Sequence, residues 1–271
     1  PDESDDRLAH VLARAPATCI VCEASDVARM QALAPKAVVI SADDVDAVCA
    51  EGDTGDVPLL APHSPDDLHS VLFTSGSTGA PKGAMRTFAT FFAMVSSYAV
   101  GHSPRHLSFQ PLSHLSERMY LPSLLIHGGC IAFAQGGAHL YDELRRFGPT
   151  TLGSVPRLFE VLHAQYRRKL RAATLANPEL SRGELERRTL AEVRGAFGTR
   201  LSAISIGSAP VTPEVFGFLK RCFSDIWVSE GYGSTEVGTI ATDGKIAAQA
   251  QVKLVPLPES SDPNRGEVWV K

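Results

Sequence analysis

Short apolar runs rich in β-branched residues alternate along this chain with longer stretches of helical periodicity. The strand candidates are TCIVCEA, AVVISA, HSVLFTS, HLSFQPL, CIAFAQ, TTLGSV, SAISIGS and IWVSEGYG. Helical patterns such as FATFFAMVSSYAV, MYLPSLLIHGG, VPRLFEVLHAQYRRKL and TPEVFGFLKRCF stand between several of them. Strands joined through helices pair in parallel and are covered by those helices. The sequence therefore predicts an α/β fold with largely parallel sheets covered by helices.

The segment NPELSRGELERRTLAEVRGAFG predicts an additional, charged helix. Its Ser181 and Glu184 have the spacing of a capping box. Residues suited to a buried face recur every four positions, at Leu185, Thr189, Val193 and Phe197. Residues 51–67 are rich in Gly, Pro and Asp and predict a connecting stretch instead.

Charge is distributed unevenly along a chain of otherwise ordinary globular composition. The 271 residues are 44% hydrophobic and 21% charged, which is enough for a sizeable core. Residues 1–67 hold 14 Asp and Glu against 4 Lys and Arg, whereas residues 163–200 hold 9 Lys and Arg against 4 Asp and Glu. Such a basic segment can meet phosphates, but a solvated helix face is the favoured interpretation. We expect no nucleic-acid partner.

The cysteines and the apolar runs limit where this protein can function. Five cysteines, an odd number, argue against a disulfide framework. Cys19 and Cys22 form a C-x-x-C, yet their surroundings predict a buried strand, and no second pair completes a zinc site. No signal segment is evident, and no apolar run approaches the roughly 18 residues that span a bilayer. We therefore expect a soluble, cytoplasmic protein without a transmembrane segment.

The stretch LFTSGSTGAPKG places hydroxyl residues, glycines and one lysine directly after an apolar run. Glycines let backbone N–H groups converge on an anion and hydroxyls add donors, so phosphate is the natural ligand. A Walker loop needs glycine before its lysine and Ser or Thr after it. Here Lys82 lies between Pro81 and Gly83. The pattern argues against a P-loop kinase and favours another kind of phosphate-binding loop over a plain surface turn.

The decapeptide TSGSTGAPKG resembles the signature of the adenylate-forming enzymes, which include acyl-CoA synthetases, peptide-synthetase adenylation domains and firefly luciferase. Three further landmarks follow in the family's order. PLSH at 111–114 is similar to its substrate-gate segment, GSAP at 207–210 to its adenine-side loop, and GYGSTE at 231–236 to its second nucleotide motif. VPRLFE, the ER after PLSHLS and the closing GEVWVK segment most resemble carboxylic acid reductase adenylation domains and long-chain fatty acyl-CoA synthetases, with a lean toward the reductases.

The resemblance implies part of the family's large N-terminal, AMP-binding domain. Residues 1–60 would form a βα lead-in and residues 68–271 the nucleotide- and acyl-binding core. The chain starts without methionine and stops inside an alternating pattern that should form a strand, so we expect a fragment of a longer protein. The family's ribose-binding aspartate, hinge and lysine-bearing C-terminal domain would lie beyond it. Alone, the fragment is expected to be nearly inactive.

The implied reaction joins a carboxylic acid to the α-phosphorus of ATP, releases pyrophosphate and leaves an acyl adenylate that a thiol attacks. ATP or AMP and Mg²⁺ would bind, with CoA or the phosphopantetheine arm of a carrier-protein domain as the thiol. By resemblance, the phosphate loop would wrap the β- and γ-phosphates through Thr74, Ser75, Gly76, Ser77, Thr78, Gly79 and Lys82.

The remaining landmarks imply roles for particular residues. Tyr232 would stack on adenine, Thr235 would contact the α-phosphate and Glu236 would hold Mg²⁺. The nucleotide would also contact Gly207, Ser208, Ala209, Pro210, Gly231, Gly233 and Ser234. His114 would lie beside the substrate carboxylate and gate the acyl tunnel. The acyl side would be lined by Val155, Pro156 and Arg157.

Two classes of function remain open at this point. The chain is either the adenylation core of a reductase-like or long-chain acyl-CoA synthetase enzyme, or a non-catalytic nucleotide- or carrier-binding module with the same fold. In the second class, the basic segment 163–200 would dock the carrier. The phosphate loop and Glu236 favour the enzyme. The acyl side has no prominent charge except Arg157, which favours a hydrophobic acid, aliphatic or aromatic.

Overall fold

The computed structural model describes residues 3–51, 63–74, 79–97, 103–137, 139–257, 262 and 265–271. The chain divides into two compact units, Pro1–Phe92 and Ala93–Lys271. No helix within the described ranges is both long and apolar enough to cross a membrane.

The described residues of the first unit form two small sheets. Its elements are α1 (Asp5–Arg14), β1 (Cys19–Cys22), α2 (Val27–Leu33), β2 (Val38–Ser41), α3 (Val45–Glu51), β3 (Leu68–Thr74) and β4 (Lys82–Thr87). Strands β1 and β2 are parallel, whereas β3 and β4 form an antiparallel pair. Most of the predicted connecting stretch 51–67 lies outside the described residues, and α4 (Phe88–Ser97) links this unit to the second.

The expectation that β1 is buried is wrong. The C-x-x-C strand was predicted to be buried, but Cys19 is exposed, Cys22 is partly exposed and Val21 keeps 58% of its surface in solvent. The reason is that, among the strands the structure describes, β1 pairs only with β2, and the pair contacts α2. A two-stranded sheet with a helix on one side leaves its other face open, so an apolar run alone does not establish burial.

The second unit contains the larger sheet. Its elements are β5 (Arg105–Ser108), α5 (Leu115–Ile126), β6 (Cys130–Phe133), α6 (Leu140–Phe147), β7 (Thr151–Ser154), α7 (Pro156–Ala176), α8 (Arg182–Gly195), β8 (Ala203–Ile206), α9 (Pro213–Cys222), β9 (Trp227–Ser234), β10 (Gly238–Thr242), β11 (Lys245–Ile246), β12 (Val252–Pro256) and β13 (Gly266–Val270). Five strands share one sheet in the order β11-β10-β9-β8-β7.

Strands connected through helices are the parallel ones, as the alternating pattern predicts. Strands β7, β8 and β9 run in parallel, and so do β5 and β6. The strands that follow without a helix pair antiparallel: β9 with β10, β10 with β11, and β12 with β13. The predicted α/β fold with helix-covered sheets is therefore confirmed, with antiparallel pairing added at β3 and β4 and again after β9.

Helices α7, α8 and α9 pack together around a core rich in phenylalanine. Phe159, Phe197, Phe218 and Phe223 are at most 1% exposed, and the rings of Phe197 and Phe223 meet edge to face with centroids 5.4 Å apart. Burying such side chains is the main source of stability in this part of the fold.

The additional charged helix is confirmed as α8. Ser181 precedes its first residue, and the Ser181 hydroxyl accepts a hydrogen bond from the Glu184 amide at 3.2 Å. All four residues predicted to form its buried face are at most 4% exposed: Leu185, Thr189, Val193 and Phe197. Its outer face carries ion pairs one turn apart, such as Arg182 with Glu186.

Candidate active site

Three of the predicted motifs lie at the carboxyl edge of the parallel strands of the second unit. PLSH follows β5, GSAP follows β8, and GYGSTE forms the end of β9 and the turn after it. At that edge Gly207 N, after β8, donates to Ser154 O at the end of β7 at 3.1 Å, and Gln110 Nε2, after β5, donates to Gly153 O on β7 at 2.8 Å. Ligands of α/β sheets bind outside the carboxyl ends of the strands. The fold therefore brings these three motifs to one edge.

The GSAP and GYGSTE motifs are in close backbone contact. Strands β8 and β9 pair up to Ile206 and Glu230. Beyond them, a Cβ placed on Gly207 would lie only 3.2 Å from the carbonyl oxygen of Gly231. Ser208 has a φ of 68°, a left-handed conformation that costs a non-glycine residue about 1–2 kcal/mol. Such strain concentrates at ligand-binding sites, and the Ser208 side chain is exposed there, as are Ala209 and Pro210.

Two carboxylates that belong to none of the sequence motifs, Glu230 and Asp243, brace these motifs. Glu230 Oε1 accepts a hydrogen bond from the Val211 amide at 3.1 Å, which ties the end of the GSAP loop to β9. The Glu230 amide in turn donates to Asp243 Oδ1 at 2.8 Å. The only signal in the sequence is the position of Glu230 directly before GYGSTE, because the two partners come from distant segments.

At the end of β9, the aromatic side chain of Tyr232 lies between two glycines, Gly231 and Gly233. Tyr232 is 55% exposed, so its ring is accessible to a planar ligand. Gly233 lies against the carbonyl of Gly238 on β10, and a Cβ at Gly233 would overlap that oxygen. Only glycine fits there, which explains one of the two glycines that flank Tyr232.

The turn between β9 and β10 carries Thr235 and Glu236. Ser234 Oγ accepts a hydrogen bond from the Val237 amide at 3.4 Å and shapes this turn. The Glu236 side chain is exposed. The described residues contain no cluster of three or more metal-binding side chains. Magnesium does not need one, since it is usually held by one or two carboxylates, several waters and the phosphates of its substrate. An exposed Glu236 carboxylate fits that donor set.

The phosphate loop belongs to the first unit and connects β3 to β4. Thr74 pairs with Lys82 at the open end of this hairpin, and Lys82 is exposed as the first residue of β4. Gly79 has a φ of 94°, which favours glycine at this position. A hydrogen bond of 3.1 Å between His10 Nε2 and Pro81 O ties the loop to α1. The predicted residues Ser75, Gly76, Ser77 and Thr78 lie outside the described residues.

His114 lies at the N-terminus of α5. It occupies the N-cap position, its side chain is exposed and its amide donates to Pro111 O at 2.9 Å. Arg118 Nε donates to Leu112 O at 3.0 Å and closes the PLSH segment on itself. The imidazole of His114 is therefore free to reach a ligand.

The predicted acyl wall follows β7. Val155 is the N-cap of α7, Pro156 is its buried first residue, and Arg157 is largely exposed with Glu160 at 3.6 Å. Gln110 Nε2 donates to Gly153 O at 2.8 Å, so the residue before PLSH is bonded to the strand that precedes this wall. Because the Arg157 guanidinium is exposed and paired with Glu160, the rest of this wall carries no ionic group.

Sequence comparison defines the class to which this fold and these motifs belong. The family model of AMP-binding enzymes matches residues 1–264, and the chain therefore belongs to the AMP-binding enzyme family.

Among individual proteins, the chain is similar to the carboxylic acid reductase of Mycobacterium marinum, at 34% identity over 223 residues, or 77% of this chain and 19% of that protein. It is also similar to the peroxisomal long chain acyl-CoA synthetase 6 of Arabidopsis thaliana, at 31% identity over 251 residues, or 78% of this chain and 35% of that protein. The chain thus spans about a fifth to a third of the curated relatives that it matches.

Solved structures share the fold. The adenylation domain of the carboxylate reductase from Mycobacterium chelonae superposes with a TM-score of 0.81 at 24% identity, covering 99% of this chain and 49% of that one. The A-PCP didomain of the Segniliparus rugosus carboxylic acid reductase, in complex with AMP, gives a TM-score of 0.82 at 22% identity, covering 99% of this chain and 44% of that one.

Proposed function

We propose that this chain is the adenylation core of an enzyme that activates a carboxylic acid with ATP and passes the acyl group to a thiol. The observation that carries the proposal is the contact between the GSAP loop and the GYGSTE strand, braced by Glu230 at the carboxyl edge of the sheet. A strained Ser208 and an exposed Tyr232 at that edge suit a purine ligand better than a purely structural turn.

In the proposed first step, a carboxylate oxygen of the acid forms a bond to the α-phosphorus of ATP while the bond from that phosphorus to pyrophosphate breaks. In the second step, the sulfur of the thiol forms a bond to the acyl carbon, and AMP leaves with the oxygen that came from the acid. Two anions must meet in the first step, so positioning and charge neutralisation carry the catalysis.

The residues of this chain would divide that work. The exposed Lys82 would neutralise charge on the departing pyrophosphate, together with the hydroxyls and amides of residues 74–79. Thr235 would donate to the α-phosphate, and His114 would orient the carboxylate of the acid. Glu236 would hold Mg²⁺, which supplies positive charge to the phosphate oxygens when bound.

We propose a hydrophobic carboxylic acid as the substrate, and a carrier phosphopantetheine or CoA as the thiol. The exposed Arg157 at the acyl wall already has Glu160 as its partner, so it is a poor candidate for binding a second substrate charge. Similarity to both carboxylic acid reductases and long-chain acyl-CoA synthetases supports the acyl chemistry. It does not decide between carrier phosphopantetheine and CoA as the thiol. All five cysteines are free thiols, which suits the cytoplasm that we propose as the location.

The alternative, a non-catalytic nucleotide-binding module, differs from the enzyme in one measurable property. It would bind ATP or AMP without exchanging pyrophosphate into ATP. The test is isotope exchange between pyrophosphate and ATP by the full-length protein, with a panel of aliphatic, aromatic and amino acids. Exchange that depends on an aliphatic or aryl acid supports the proposal. Exchange with amino acids alone would overturn the substrate class, and no exchange with any acid would overturn the enzyme.

A further inference from the structure

A histidine and a glutamate are fully buried beneath the segment that carries His114. His106 on β5 is 1% exposed, Glu117 in the first turn of α5 is 0% exposed, and their Nε2 and Oε1 atoms are 2.9 Å apart. A buried pair of ionisable side chains is weak evidence for stability, because an apolar pair of similar volume often packs with equal stability. Stability alone therefore does not account for this pair.

The pair is part of a larger cluster that reaches β7. The ring of Tyr120 stacks on His106 with centroids 3.7 Å apart and planes 13° from parallel. A Cβ placed on Gly153 would lie 2.7 Å from the hydroxyl of Tyr120, so this ring fills the space that glycine leaves. Gly153 also accepts the hydrogen bond from Gln110. Three elements, β5, α5 and β7, are thereby locked to each other under the PLSH segment.

The position of Glu117 in its helix is unusual. It is the third residue of α5, where a carboxylate commonly turns back to bond the amide of the N-cap residue. Here the amide of His114 is bonded to Pro111 O instead, and Glu117 points inward to His106. The first turn of α5 is thus fastened to β5 rather than capped on itself.

Each member of the pair depends on the other. Within the part of the chain that the structure describes, His106 Nδ1 and Glu117 Oε2 are buried without a hydrogen-bond partner. Their mutual bond is directional, whereas contacts between apolar side chains are not. Losing that bond would allow the first turn of α5 to shift. His114 is the N-cap residue directly before that turn, so it would shift as well.

We infer that His106 and Glu117 are positioning residues that fix His114 against the carboxylate of the acid substrate. The inference rests on the proposed function. It predicts that the pair affects the acid half of the reaction and leaves the nucleotide half unchanged, since neither residue lies in the GSAP or GYGSTE motifs.

The experiment compares the double variant H106L/E117L, the conservative variant E117Q and the control F197L in the full-length protein. F197L removes the edge-to-face packing of Phe197 on Phe223, which joins the segments directly after α8 and α9 and is far along the chain from PLSH. Steady-state kinetics give KM and kcat for acid and ATP separately, thermal unfolding gives stability, and hydrogen exchange by mass spectrometry follows residues 109–116. Displacements near 1 Å cost up to about 10²-fold in rate.

We expect H106L/E117L to fold with near wild-type stability, to exchange faster in residues 109–116, and to lose about 10- to 100-fold in kcat/KM for the acid with KM for ATP unchanged. E117Q still accepts a hydrogen bond and should retain activity, and F197L should lose stability alone. Wild-type kcat/KM for the acid in a stable H106L/E117L variant would overturn the inference. An unchanged rate of hydrogen exchange in residues 109–116 would overturn it too. If the wild-type protein activates no acid, the proposed function fails, while the exchange measurement still decides whether the pair holds the segment.

Discussion

Replacing Gly207 with alanine tests the adenine-side loop most sharply. The added Cβ would lie 3.2 Å from the carbonyl oxygen of Gly231, which is closer than an ordinary van der Waals contact. That oxygen belongs to the backbone, so it cannot rotate away, and the GSAP and GYGSTE motifs must separate by a few tenths of an ångström. Mild overpacking of this kind costs about 1–3 kcal/mol, and the small displacement places this case near the lower end.

If that cost falls on the nucleotide-binding conformation, about 1.4 kcal/mol weakens AMP binding about tenfold. Titration calorimetry with AMP measures the affinity, and urea unfolding measures the free energy of unfolding. Gly183→Ala is the matched control, because a Cβ at Gly183 in α8 meets no atom within 4 Å and should stabilise the helix by roughly 0.4–1 kcal/mol. Equal AMP affinity in wild type and Gly207→Ala would refute the assignment of this loop to the purine.

Three further outcomes are expected. Glu236→Gln should weaken binding of Mg-ATP with little effect on AMP, as measured by calorimetry, and equal Mg-ATP binding would count against the metal assignment. Burial lowers the pKa of His163 below its ordinary value of 6.5, so the unfolded chain takes up the proton first, and stability declines as the pH falls below about 6.5; in urea unfolding, His163→Gln should show a smaller decline, and an unaltered pH profile would contradict this. Burial raises the pKa of the Cys222 thiol to about 12, so iodoacetamide at pH 8 should modify the exposed Cys49 and Cys130 in the native protein and spare Cys222, and rapid modification of Cys222 would contradict its burial.

The fold was largely predictable because periodicity reports on packing that is local to each element. Helix α8 shows this well, since both its cap at Ser181 and its four-residue apolar repeat are visible in the sequence and present in the structure. Strand β4 was not predicted, because KGAMRT lacks an apolar run and forms a strand by pairing with β3. The exposure of β1 was missed for a related reason: the number of neighbouring strands is a tertiary property.

For the candidate site, the glycine-rich and hydroxyl-rich motifs were visible because loops that contact phosphate need particular residue types in sequence. The supporting residues were not. Glu230 and Asp243 are 13 positions apart, as the hairpin of β9 and β10 brings them together. His106 and Glu117 are 11 apart and meet only because α5 folds back on β5. A polar or ionisable residue within an apolar strand or helix is the one sequence signal that marks such positions. Identifying the residue that it contacts requires the three-dimensional structure.

The origin of the oxygen in AMP distinguishes acyl-adenylate formation from other ways of using ATP. In the proposed reaction a carboxylate oxygen bonds to the α-phosphorus, and that oxygen stays on AMP when the thiol takes the acyl group. The full-length protein would be supplied with ATP, the thiol acceptor and an acid labelled with ¹⁸O in its carboxylate, and the AMP formed would be analysed by mass spectrometry. We expect AMP that carries one ¹⁸O atom for each acyl group transferred. Unlabelled AMP, or label appearing in inorganic phosphate beside ADP, would contradict it.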